Sequence, residues 1–158
     1  MRNNRIRRIS QIAITASLYT VVTFVFQSMA FGPIQFRPAE ALVILVAFGS
    51  QYKYGLTLGC FLANLLTSAN VVDMICGSLI TFLSCVVAEK LYDKWKSPLS
   101  LTLPHVTFTG LLVPFYLHIL FNLPYWVVVV QLIASCLLNN LLLGVVLFPL
   151  VSQHGRKL

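Results

Sequence analysis

Charge is what this sequence has least of. Only 9% of its 158 residues are Asp, Glu, Lys or Arg, and four of them are acidic. A water-soluble domain carries about a quarter charged residues, so an ordinary soluble surface is excluded. Long polar stretches are also missing: the widest break between apolar runs, Tyr92 to Pro104, is too short to fold in water. Cysteine is sparse, with Cys60, Cys76, Cys85 and Cys136 all inside apolar runs and no CxxC pair. That argues against a metal site or a disulfide framework and for small buried hydrophobes. No GxxxxGK[ST] phosphate loop, HExxH or GxSxG occurs, so the chain has no nucleotide-hydrolysing engine or hydrolytic motif of its own. No internal repeat of the kind used by secondary transporters is visible either.

What remains is apolar: 58% of the residues are hydrophobic. The runs are Ser10 to Ala30, Pro38 to Ser50, Tyr54 to Ser68, Val71 to Leu91, Pro104 to Phe121 and Pro124 to Val151. A membrane-spanning helix needs about 20 residues. The second and third runs are shorter, so they read as two short spans or as one re-entrant hairpin. Basic residues favour the six-span reading. If all six runs cross, ten of the eleven basic residues fall on one side: Arg2, Arg5, Arg7, Arg8, Lys53, Lys90, Lys94, Lys96, Arg156 and Lys157. Arg37 alone falls on the other. Lys and Arg collect on the cytoplasmic side. The expectation is therefore an all-α membrane protein, a six-transmembrane-helix bundle with both termini cytoplasmic, forming a single domain over residues 1–158. Residues 1–9 form a basic flank rather than a signal peptide, and residues 152–158 a cytoplasmic tail. The net charge of +7 is then a topology and lipid-headgroup signal, with nucleic-acid binding the weaker reading.

That orientation gives each polar residue a depth. Gln35 and Arg37 lie in the first outer loop, and Glu40 in the first turn of the second span, just after Pro38. Asn64 sits near the outer end of the third span, and Asp73 opens the fourth. Tyr125 and Trp126 mark the outer start of the sixth span, with Gln131 about two turns in. Ionisable groups at membrane depth are expensive and point to sites. Glu40 and Asp73 also stand at helix N-termini, which stabilise a carboxylate. The bland alternatives are a structural ion pair pinning the loop and an aromatic belt at the interface. Asn139 and Asn140 lie deeper, where an amide must find a partner; helix–helix hydrogen bonding is the alternative for them. His118 reads more simply as a packed neutral side chain. Among small residues, Gly55, Gly59 and Ala63 share a face of the third span and permit close helix approach. Ala13 with Ser17, and Ala16 with Thr20, form small patches on the first span, suited to internal packing or to docking another membrane protein.

Three stretches carry a resemblance. "FGPIQFRPAEAL", "GLTLGCFLANLL" and "DMICGSLITFLS" are similar to the queuosine-precursor transporter family (QueT), substrate-binding S components of energy-coupling-factor (ECF) importers. The similarity runs from the first span through the fourth; the last two match in hydropathy and spacing. Where a Gly-Glu pair is expected in the sixth span, this chain has Asn139–Asn140. The resemblance implies capture of a 7-deazaguanine-type base from outside. Delivery would follow docking onto a transmembrane coupling subunit and two cytoplasmic ATPase subunits, which use ATP; no cofactor is bound by this chain. It also implies docking through an AxxxA-type face, here Ala13 and Ser17, and a lid loop bending at Gly32 and Pro33. The residue chemistry fits: Glu40 to accept N–H donors, Asn64 or Gln35 for a carbonyl, Tyr125 or Trp126 for stacking, Asp73 for an aminomethyl cation. The rival readings are an S component for another vitamin-like compound, a self-sufficient oligomeric channel or facilitator, and an intramembrane enzyme built on Glu40, Asp73 and His118.

Overall fold

The computed structural model describes residues 2–30, 37–67, 71–140 and 148–149. These are helical almost throughout, and no strand occurs among the described residues. In order they form α1 (Arg2–Val25), the single turn α2 (Gln27–Ala30), a 3-10 helix (Pro38–Phe48), α3 (Gln51–Thr67), a π turn (Asp73–Gly77) leading into α4 (Ser78–Trp95), α5 (Leu99–Phe121) and α6 (Tyr125–Leu137). Among the described residues three helices are long and apolar enough to cross a membrane: Asn4–Val25, Asp73–Trp95 and Leu99–Phe121. Pro38–Phe48 and Tyr125–Asn140 are apolar but shorter.

The second run differs most from expectation. It winds as a 3-10 helix over 11 residues, where such runs usually stop after about 3–4. At about 2.0 Å rise per residue, the tighter winding stretches a short segment to about 22 Å. Pro38 starts it with its φ already fixed. Ala39, Glu40, Ala41, Val43, Ile44 and Val46 are all buried, so the segment is enclosed on nearly every side. It touches α1, α3, α4 and α5 and forms the axle of the bundle.

α1 packs on α3 at backbone distance. A Cβ added at Gly59 would sit 2.7 Å from the Tyr19 Cβ and 2.9 Å from the Ala16 carbonyl, and one at Gly55 would sit 2.7 Å from the Thr15 Cβ. Thr20 Oγ1 reaches the Gly59 carbonyl at 3.2 Å. In lipid, helices associate through such small-residue contacts rather than by hiding oil. At one end, Gln51 Nε2 donates to Gln11 Oε1 at 3.0 Å, and Lys53 Nζ pairs with Glu89 Oε2 at 2.7 Å. Ser50 also donates to Glu89. These bonds bring the basic flank of α1, the start of α3 and the lysine-rich end of α4 to the same end of the bundle.

Polarity is turned inward. Thr15, Thr23, Glu40, Asn64, Thr81, Ser84, Thr102, His105, Asn139 and Asn140 are buried, while Ile14, Val21, Leu79, Phe115, Ile119 and Val130 are exposed. A soluble protein would do the reverse. Together with three membrane-length helices, this makes the chain a membrane protein.

Candidate functional site

The polar interior is built in two tiers. The upper tier lies where the π turn opens α4. Asp73 Oδ1 accepts from the Tyr116 hydroxyl at 2.7 Å, and the Asp73 carbonyl accepts from Asn64 Nδ2 at 3.0 Å. A π turn displaces backbone carbonyls from the usual ladder, which leaves this one available. Asn64 sits so close to Gly77 that a Cβ there would meet its Nδ2 at 3.1 Å. Asn64 therefore ties α3 to the mouth of α4.

The lower tier lies further into the helices. Glu40, 6% exposed, receives the Cys136 thiol at 3.3 Å on Oε2. The same oxygen stands 3.8 Å from His105 Nε2. His105 Nδ1 contacts Ser84 Oγ at 2.8 Å. Four elements thus supply one cluster: the 3-10 helix, α4, α5 and α6. Arg37 and Tyr19 are near enough to act on Glu40 electrostatically. Asn139 and Asn140 follow Cys136 by one helical turn, which stacks them beside it. Asn140 Nδ2 donates to the Cys136 carbonyl at 3.0 Å.

Several of these buried atoms have no hydrogen-bond partner among the described residues: His105 Nε2, both ends of the Asn139 amide, Asn140 Oδ1 and Thr23 Oγ1. A buried polar group left unpaired costs about 1–3 kcal/mol, and the cost is not relieved by lipid.

The structure brings Glu40 and Arg37 into one neighbourhood, with Asn139 buried one turn beyond Cys136, and Asn64 with Asp73 into the tier above. Tyr125, Trp126 and Gln131 are not brought there. Trp126 is 73% exposed, Gln131 is exposed, and the Tyr125 ring packs on Trp126 at 5.1 Å and on His118 at 6.4 Å. His118 is exposed and bonds the Leu123 carbonyl through Nδ1 at 2.6 Å, closing the turn after α5 far from Glu40. On α1 the two small pairs part ways. Ala16 is buried and Thr20 is bonded to α3, whereas Ala13 and Ser17 face outward. Gln35, Gly32 and Pro33 lie outside the described residues. His105, Ser84 and Tyr116 were missed from the sequence. A signal for His105 existed: Thr102, His105 and Thr109 recur at helical spacing in an otherwise apolar run, and all three are buried.

A model of a family described as QueT transporter matches residues 9–153. The chain belongs to the QueT transporter family. QueT is a family of transporters, not of enzymes. A relative from Lactococcus lactis subsp. cremoris (strain MG1363), named Queuosine precursor transporter QueT, is 35% identical over 98 residues. That alignment takes in 61% of this chain and 57% of the relative, so the match spans little more than half of the relative's length. No solved structure matches. Most of the QueT-matched region is the helical bundle just described, and both tiers of the polar interior fall within it.

Proposed function

We propose that this chain is the substrate-binding S component of an ECF-type importer, taking up a queuosine precursor of the 7-deazaguanine type. Membership of the QueT family and the name of the Lactococcus relative support the substrate class. The observation that carries the reading is the Glu40 carboxylate, buried in an apolar bundle with His105 Nε2 3.8 Å from its Oε2. A deazaguanine edge offers N–H donors beside a carbonyl. A carboxylate is an acceptor only and an amide is both donor and acceptor, so Glu40 with Asn139 complements that edge. Arg37 balances Glu40, and Asp73 supplies a counter-charge for an aminomethyl group.

The finer architecture belongs to the same proposal. The chain is one domain of six spans with both termini cytoplasmic, since the basic residues sort that way. A lid bending at Gly32 and Pro33, with Gln35 as a substrate contact, belongs to the same reading. Having no phosphate loop, the chain relies on a transmembrane coupling subunit and two ATPase subunits for ATP-driven transport. The outward Ala13–Ser17 face of α1 is the docking surface. The basic end, with the Lys53–Glu89 pair, faces the cytoplasm.

Binding raises apparent stability by mass action, by about 2.7 kcal/mol when the ligand is at 100 times its Kd. Detergent-purified protein is therefore expected to melt at a higher temperature with 7-deazaguanines and to be unmoved by adenine, whose edge lacks N–H donors beside a carbonyl. A shift with pterins and none with deazapurines would reassign the ligand; no shift with any member of the panel would remove the binding role.

A further inference from the structure

Asp73 is a carboxylate at the mouth of α4 with one oxygen unused. The Tyr116 hydroxyl donates to Oδ1 at 2.7 Å, and the residue's own carbonyl is held by Asn64 Nδ2 at 3.0 Å. Oδ2 accepts no hydrogen bond among the described residues. Of the four acidic residues, Glu89 and Asp93 pair with Lys53 and Lys96, and Glu40 stands beside His105 and Arg37. Among the described residues, Asp73 forms no ion pair. A carboxylate opening a membrane-length helix is expensive without a cation. The helix N-terminus and a neutral hydroxyl lower that cost without cancelling the charge. The pair belongs to the same interior as Glu40. Arg37 is near enough to act on both Tyr116 and Glu40, and Tyr116 shares a face of α5 with His105 and Thr109 by the helical period.

Resting on the reading above, we propose that Asp73 and Tyr116 form the ammonium subsite of the ligand pocket: Asp73 binds the charged amino group through Oδ2, and Tyr116 is the positioning residue that holds Oδ1. A primary amine on a saturated carbon is protonated at neutral pH, as lysine is. Its bond to a carboxylate is charge-assisted and short. It also brings Asp73 the cation that the described residues do not provide. The subsite therefore selects between precursors that share one base and differ in the side arm. A charged aminomethyl arm is preferred, and a neutral arm of the same size leaves the carboxylate without a counter-charge. Tyr116 matters because a carboxylate free to rotate spreads its second oxygen over several directions; with Oδ1 held, Oδ2 has one. With the arm at the mouth of α4, the base is turned inward, toward Glu40.

The experiment compares two probes on the purified full chain, 7-aminomethyl-7-deazaguanine and 7-hydroxymethyl-7-deazaguanine, which differ in charge at one atom of the arm. The ratio of their Kd values cancels any general loss of binding. The wild type should prefer the aminomethyl probe by about tenfold or more, as one hydrogen bond to a charged group contributes. Asp73→Asn keeps the side chain's size and an acceptor for Tyr116 but not the charge, and should bring the ratio close to one. Tyr116→Phe should reduce the ratio by about threefold or more, whereas a merely structural role for the hydroxyl would weaken both probes alike. It decides alone if Asp73→Asn does not fold. A wild type that binds both probes alike, or a ratio unchanged in Asp73→Asn or Tyr116→Phe, overturns the subsite and leaves the transporter reading standing. A wild type that binds neither probe overturns both.

Discussion

Replacing Glu40 by alanine should weaken binding of a 7-deazaguanine by about 100-fold or more while leaving the unliganded protein folded. A hydrogen bond to a charged group contributes about 1.5–3 kcal/mol, and each 1.4 kcal/mol is a factor of ten in affinity. Glu40 is placed to accept more than one donor, so its loss reaches the upper end. Stability should fall as well. A buried carboxylate is costly to desolvate, but removing one of two interacting buried charges leaves the other, here Arg37, less compensated. The melting temperature without ligand should therefore drop, and the ligand-induced shift should vanish. Glu40→Gln refines the test, because the amide keeps the volume but turns one acceptor into a donor pointing at the ligand's own donors. It should bind almost as poorly as the alanine variant. Isothermal calorimetry on both variants checks this, and unchanged affinity in Glu40→Ala would take Glu40 out of the site.

Glu40 drew attention because charge is so scarce: a carboxylate just inside an apolar run has few ordinary explanations. Asn139 drew it as an amide at membrane depth, and both are buried. The 3-10 winding was not legible, because hydropathy counts residues and is blind to rise per residue. Nor was depth legible: the first turn of that helix sits level with Cys136, deep along α6, rather than at the rim with Tyr125 and Trp126. Histidine at position 105 was overlooked because one imidazole in an apolar run is ordinarily packing; only its neighbours Ser84 and Glu40, distant in sequence, give it meaning. Gln131 and Trp126 show the opposite failure. In a lipid-facing helix, polar and aromatic residues near an end can look outward or inward, and spacing alone does not choose. The two small pairs of α1 were equivalent in sequence for a similar reason. The glycines of α3 break the tie: they receive Ala16 and Thr20, which leaves Ala13 and Ser17 on the outer side.

That split supports the second large prediction. Gly59→Leu should prevent the bundle from assembling, and Gly59→Ala should already cost about 1–3 kcal/mol, the usual penalty of overpacking. The obstacle is the first side-chain atom. At Gly59 it meets the Tyr19 Cβ at 2.7 Å and the Ala16 carbonyl at 2.9 Å, and neither can swing aside as the tip of a flexible chain would. The helices must separate, and the Thr20 bond to the Gly59 carbonyl is lost with them. Binding should fail too, because Tyr19 belongs to the core around the 3-10 helix that carries Glu40. Ser17→Leu, on the opposite face of α1, is the matched comparison. It adds the same bulk where the side chain is exposed, so purified protein should fold and bind ligand normally. If that face docks a coupling subunit, ATP-driven uptake in reconstituted vesicles should nonetheless collapse. Size-exclusion profiles, ligand-induced stabilisation and uptake, measured on both variants, separate the roles: Gly59→Leu loses all three, Ser17→Leu only the last. Full uptake by Ser17→Leu would move the docking surface elsewhere, and a well-folded Gly59→Leu would show that α1 and α3 do not pack this closely.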